Sequence, residues 1–332
     1  MNPGFVFVSE AGTSTGFGHL TRQLALVDSA EPSEVERHLC IVDDAQDSLR
    51  LTKSIAGANV SNTSFIHAVQ EINADTTDRA IFLDGRRISL DSFNAHDAAL
   101  TVILSPLIPL STARSLGVFR GCSIPSNWSP KKRDVVLLGP EFAVVPTYLK
   151  SLREMQFRET RDSVEEICIF PGQKPSEMFW RVVKTVCDIA LQESRITLWV
   201  PRIHEQHTRR IWNSNSRVSP DIRITSTNRP WTQARYSDLA ITTGGQSSIE
   251  ALCLGVPTIA LPELAAQKDF VYFLSSIGAC ISVPDFATAD LRHLATTAIA
   301  TKTLRESLSR IALQTIDGGG SSRIIDTVRS LI

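Results

Sequence analysis

His19 stands three residues before Arg22 in the run GFGHLTRQLAL, behind Gly16 and Gly18. Glycines on either side of Phe17 let a ligand approach the backbone, and an imidazole at the mouth of the helix that follows can act as a general base. Arg22, one helical turn on, can pair with a carboxylate or contact a substrate. For a lone His the plain alternative is a residue that caps the helix or fills space.

A second run, ITTGGQSSIEALCLGVPTIALPELAAQ at 241–267, reads as strand, glycine turn, helix, buried strand and loop. Ile241 to Thr243 end an apolar stretch, Gly244 and Gly245 allow a sharp turn, and Ser247 and Ser248 offer capping hydroxyls where a helix begins. The N–H groups of that helix start suit a phosphate. Glu250, about one turn further along, would direct a carboxylate toward the same loop, where the vicinal hydroxyls of a ribose could be held. The plain alternative is a crossover that binds nothing and a solvated surface Glu.

Both runs need strands to carry them and helices to cover those strands. Apolar segments at 5–8, 38–42, 80–83, 100–104 and 135–138 alternate with helical patterns at 20–27, 46–56, 65–73 and 88–96, which implies a parallel sheet covered on both faces. A charged stretch, LKSLREMQFRETRDSVEE, then separates this region from a second alternation: strands at 167–170, 196–200 and 222–224, and helices at 176–191 and 204–212. The expected organisation is an α/β chain with a Rossmann-like domain at 1–150 and a second at 163–320. Helices are expected at 287–300 and 303–315, and after Gly318-Gly319-Gly320 an amphipathic helix at 321–332 is placed to pack back toward the first domain.

At 332 residues and 42% hydrophobic, the chain is long enough for two ordinary cores. Thirty-four Lys and Arg nearly cancel 35 Asp and Glu, so the net charge gives no reason to expect a nucleic-acid partner. No apolar run reaches the roughly 20 residues that span a bilayer, and the N-terminus lacks a secretory pattern, so a cytoplasmic location and no integral membrane segment are expected. The six cysteines, at 40, 122, 168, 187, 253 and 280, lack a C-x-x-C pair and read as small buried hydrophobes. His204 and His207 fit a surface helix, and no metal cluster or cofactor site is expected.

GFGHLTRQLAL (16–26), FLDGRR (82–87), LLGPEFAVV (137–145), the 241–267 run and DGGGSSRI (317–324), in this order, resemble the UDP-sugar hydrolases of pseudaminic acid biosynthesis. That PseG/SpsG-like family belongs to the GT-B superfamily with the MurG-type glycosyltransferases. The resemblance implies two Rossmann-like domains facing a central cleft, a nucleotide-sugar substrate, and no cofactor. It gives Thr243, Gly244, Gly245, Ser247, Ser248 and Glu250 the nucleotide, together with Gly172 beside Pro171, whose ring removes one backbone donor. It makes His19 the base that activates water at the anomeric carbon. Asp84, at a strand end, is a candidate to orient His19 or a sugar hydroxyl. Gly16, Gly18, Arg22 and Gln267 fall on the substrate side.

The chain departs from the family pattern at Arg86 in place of Tyr, Ala266 in place of Asn and Pro146 in place of Arg. These positions bear on sugar and water more than on nucleotide. Hydrolysis of a nucleotide-sugar is therefore the first reading, and a glycosyltransferase whose His19 deprotonates an acceptor hydroxyl is the alternative. A non-catalytic nucleotide-sugar binder is a third. A dehydrogenase fits less well, because GTSTGFGH holds no G-x-G-x-x-G after its strand, and only Asp43 and Asp44 follow the second strand.

Overall fold

A computed structural model describes residues 4–12, 17–42, 61–63, 68, 79–85, 98–104, 114–121, 123–125, 128–155, 159–172, 175–190, 194–200, 205, 222–227, 229–282 and 290–332. Outside them lie Gly16, Asp43, Asp44, Arg86, Cys122, His204, His207 and almost all of the helices expected at 46–56, 65–73, 88–96 and 204–212. The chain divides into two compact units, Met1–Thr147 with Gly318–Ile332, and Tyr148–Asp317. The division falls at 147/148 and not in the charged stretch after residue 150, whose first residues are helical. Residues 318–320 join the last helix in the first unit.

The first unit runs β1 (Gly4–Ala11), α1 (Gly18–Val27), β2 (Val35–Val42), β3 (Ser61–Thr63), β4 (Arg79–Asp84), β5 (Leu100–Ile103), β6 (Ser115–Phe119) and β7 (Val135–Leu138). Seven strands form one parallel sheet in the order β3-β2-β1-β4-β5-β6-β7. Both faces are covered, which explains the nearly unbroken apolar runs. Phe5, Phe7 and Phe82 face Ala25 and Leu26 of α1, whereas Val6, Val8, Ile81 and Leu83 face the opposite core. Because side chains alternate along a strand, Asp84, two residues beyond Phe82, falls on the face that α1 covers.

Helix α2 (Thr147–Glu154) spans the division. The second unit then continues with β8 (Glu166–Phe170), α3 (Glu177–Ala190), β9 (Arg195–Trp199), β10 (Ile222–Thr225), α4 (Trp231–Ala234), β11 (Leu239–Thr242), α5 (Gln246–Cys253), β12 (Thr258–Ala260), α6 (Ala265–Ser276), α7 (Leu291–Ala300) and α8 (Lys302–Thr315). Its sheet is parallel in the order β10-β9-β8-β11-β12. Arg305, fully buried, donates to the carbonyls of Ala298, Ile299, Arg161 and Asp162, so the end of α7 is satisfied by a side chain.

The chain returns to the first unit as α9 (Gly320–Leu331). Ile324, Ile325 and Val328 are fully buried against Phe5, Phe82 and Leu100, and Arg329 forks onto Glu34 at 2.7 and 2.8 Å. Five elements go beyond the expected set. They are β3, β6 between the strands expected at 100–104 and 135–138, α2, α4, and α6, which begins where a loop was expected.

Candidate functional site

In an open parallel sheet, ligands gather beyond the carboxyl ends of strands at the point where strand order reverses. In the first unit that point lies between β1 and β4, whose ends are in register at Ser9 and Asp84. His19, in the first turn of α1, meets Asp84 there, with Nδ1 2.7 Å from Oδ1. Arg22 completes the set by donating from Nε to Oδ2 and from its terminal nitrogen to Oδ1, each at 2.8 Å.

This geometry fixes the imidazole tautomer. Asp84 is fully buried; burial alone would raise its pKa, but the Arg22 and His19 charges and their hydrogen bonds outweigh that and hold the carboxyl at about 2. An ionised oxygen 2.7 Å from a ring nitrogen requires a proton between them, so Nδ1–H donates to Asp84, and in the neutral ring Nε2 is the nitrogen that carries the lone pair. The Arg22 nitrogen that lies 2.8 Å from Nδ1 is then a neighbouring donor on the same carboxylate oxygen. His19 is 12% exposed, which leaves its ring edge within reach of a ligand.

Arg120, just past β6, also belongs to this cluster and was not picked out by motif. Burial pushes it down to about 9, Arg22 adds to the effect and Asp84 opposes it. It is still a cation at neutral pH. Only the recognition of β6 as a strand beside β5 could have signalled it.

In the second unit strand order reverses between β8 and β11. Gly172, after β8, has φ +67°, and a Cβ there would lie 2.7 Å from Thr243 Oγ1. Gly244, after β11, has φ +57°, and its Cβ would lie 2.9 Å from the Pro262 backbone. No side chain caps α5, whose N-cap is Gly245. Contrary to the expectation of serine caps, Ser248 does not cap the helix but donates from Oγ to the Gly245 carbonyl at 2.8 Å. Ser247 is half-buried in the same turn.

Gly244→Ala must place a methyl group in left-handed backbone against Pro262. We expect it to destabilise the fold by about 1–3 kcal/mol, which thermal unfolding reads, and unchanged stability would show that the turn tolerates the methyl group.

Glu250 is only 9% exposed, so it is not a solvated surface carboxylate. Trp231 Nε1 donates to its Oε2 at 2.7 Å, and Trp231, fully buried, stacks on Phe170 at 4.5 Å between ring centroids. Phe170 in turn lies parallel to Trp199 at 6.3 Å. Burial pushes Glu250 up to about 7, against hydrogen bonds from Trp231 and Gln246 that lower it. The folded state therefore holds the proton more tightly than the unfolded chain, and stability must fall as pH rises from about 4.5 to about 7. Glu250→Gln should flatten that part of the stability–pH curve measured by urea unfolding at pH 5 and 8. Equal slopes for wild type and variant would contradict the assignment.

Gln267, expected on the substrate side, turns its Oε1 to the backbone N–H groups of Glu263 and Leu264 at 2.9 and 3.1 Å. Gly18 opens α1, and Gly16 lies outside the described residues. Cys40, Cys168, Cys187, Cys253 and Cys280 are buried and lie outside any disulfide. Among the described residues there is no group of three or more His, Cys, Asp or Glu that could hold a metal ion, and no helix long and apolar enough to cross a membrane.

No protein-family model matches the chain, and no curated protein matches it. Solved structures do. MurG of Acinetobacter baumannii aligns with a TM-score of 0.59 at 15% identity, over 99% of this chain and all of that one. The spinosyn rhamnosyltransferase SpnG with thymidine diphosphate gives 0.58 at 14% identity, over 98% of this chain and 99% of its own. MnaA of S. aureus with UDP gives 0.59 at 11% identity, over 99% and 98%. The chain has the GT-B fold, with two Rossmann-like units. No family model and no curated protein supports the narrower hydrolase family.

Proposed function

We propose that this protein is a glycosyltransferase that moves a sugar from a nucleoside diphosphate to an acceptor hydroxyl, with His19 as the general base. The observation that carries the reading is the His19–Asp84–Arg22 arrangement, which pins one ring nitrogen and leaves Nε2 able to accept a proton. As the acceptor oxygen bonds to the anomeric carbon, its proton passes to Nε2. The bond from that carbon to the phosphate oxygen breaks, and the nucleoside diphosphate leaves with the electron pair. Asp84 stabilises the imidazolium so formed, and the N–H groups at the start of α5 meet the charge on the departing phosphate.

Hydrolysis, the first reading of the sequence, uses the same base on water. Transfer is better supported, because SpnG, described as a rhamnosyltransferase, shares the fold over nearly its whole length. Nucleoside diphosphates also accompany two of the matched structures, SpnG and MnaA. On this reading Glu250, steadied by Trp231, takes the ribose hydroxyls, and the Gly244–Gly245 turn takes the diphosphate.

The test is release of nucleoside diphosphate from UDP- and dTDP-sugars with and without a pool of hydroxyl acceptors. Release that rises at least tenfold with acceptor supports transfer. Fast release that ignores the acceptor returns the assignment to hydrolysis, and binding with no release in either case makes the protein a binder.

A further inference from the structure

The segment that follows β12 borders the glycine turn directly. A Cβ on Gly244 would touch Pro262 at 2.9 Å, and one on Gly245 would lie 3.4 Å from Gln267 Nε2. If the diphosphate sits on that turn, as the function proposed above requires, the sugar on its terminal phosphate meets residues 262–267.

The polar side chains of this segment are largely committed elsewhere. Glu263 Oε1 accepts from the Ser176 hydroxyl at 2.9 Å and from the Ser176 N–H at 3.3 Å, at the start of α3. Gln267 Oε1 accepts from two backbone N–H groups, which fixes the orientation of its amide and leaves Nε2 as its outward donor. What remains turned to solvent is Leu264, at 40% exposure, with Ala265 and Ala266. An exposed run of three apolar residues beside a polar cradle offers methyl groups where a fully hydroxylated hexose would need donors and acceptors. Each hydroxyl set against that surface loses water without gaining a partner, whereas a methyl or methylene group gains contact.

We propose that the transferred sugar is a deoxygenated hexose, whose hydroxyl-poor edge packs on Leu264, Ala265 and Ala266. The inference rests on the nucleotide-sugar reading and is tested so that the two can fail separately. Free UDP and dTDP are titrated first, followed by the glucose, 6-deoxyglucose and 2,6-dideoxyglucose derivatives of whichever nucleotide binds. Affinity should rise as hydroxyls are removed, by about tenfold or more across the series. Leu264→Asn together with Ala266→Asn should shrink that ratio to about threefold or less.

Binding of the free nucleotide with flat affinity across the sugars, or with glucose preferred, would overturn the sugar assignment and leave the nucleotide site standing. A ratio unchanged in the double variant would overturn the role of this segment. Failure of both nucleotides to bind would remove the functional reading and this inference with it.

Discussion

Replacing His19 by alanine is expected to slow sugar transfer by about two to four orders of magnitude while nucleoside-diphosphate affinity stays within about threefold. The two effects separate because His19 belongs to the first unit, whereas the glycine turn, the start of α5 and Glu250 all belong to the second. Loss of the base removes proton acceptance in the transition state and nothing from nucleotide binding. The limb of the pH–rate profile that reports deprotonation of the base should vanish in the variant. A turnover within tenfold of wild type would take His19 out of the mechanism. A parallel loss of nucleotide affinity would point instead to a structural role.

Asp84→Asn is expected to cost about two to four orders of magnitude in turnover, although the side chain keeps its size. The native carboxylate accepts three hydrogen bonds, one from His19 Nδ1 and two from Arg22. An amide offers a single acceptor oxygen, and its NH2 must face either an imidazole N–H or a guanidinium. The imidazole can relieve that clash by moving its proton to Nε2, which destroys the base, while Arg22 loses its counter-charge. Since both residues act through one proton, the double variant His19→Ala, Asp84→Asn should be no slower than His19→Ala alone by more than about threefold. Multiplied losses would show that Asp84 acts independently of His19. The substitution also changes acid stability. With its pKa lowered to about 2, the ionised Asp84 contributes stability that is present above about pH 4 and lost as pH falls toward 2. Unfolding of the variant should lack that component.

Most strands, and the glycine turn between β11 and α5, were legible because parallel strands buried on both faces leave long apolar runs, with glycines at their carboxyl ends. The Asp84 partnership was legible for the same reason, since β1 and β4 are neighbours and both end at the crevice. Strand β6 was hidden by its own packing. Gly117, a poor strand residue, is required there because a Cβ would lie 2.5 Å from Trp128, and that glycine interrupts the apolar pattern of SLGVF, where no strand was expected. Arg120 was lost with it.

Other features depend on contacts that no local pattern encodes. Trp231 and Glu250 are nineteen residues apart and meet only through folding. Ser248 looked like a cap because its residue type favours capping, yet its hydroxyl donates to Gly245. Helix α6 lacks a polar N-cap, with Leu264 in that place, so its start carried no signal, nor did the bonds that Gln267 Oε1 accepts from the Glu263 and Leu264 N–H groups.

The most direct test of the central claim follows the sugar itself. Nucleotide-sugar labelled in the sugar is incubated with wild type and with His19→Ala in the presence of an acceptor pool, and the label is traced by mass spectrometry. The mechanism predicts label bonded to an acceptor through its anomeric carbon in the wild-type reaction, and about a hundredfold less or lower in the variant. Label recovered as free sugar, or equal incorporation by the two proteins, would contradict it.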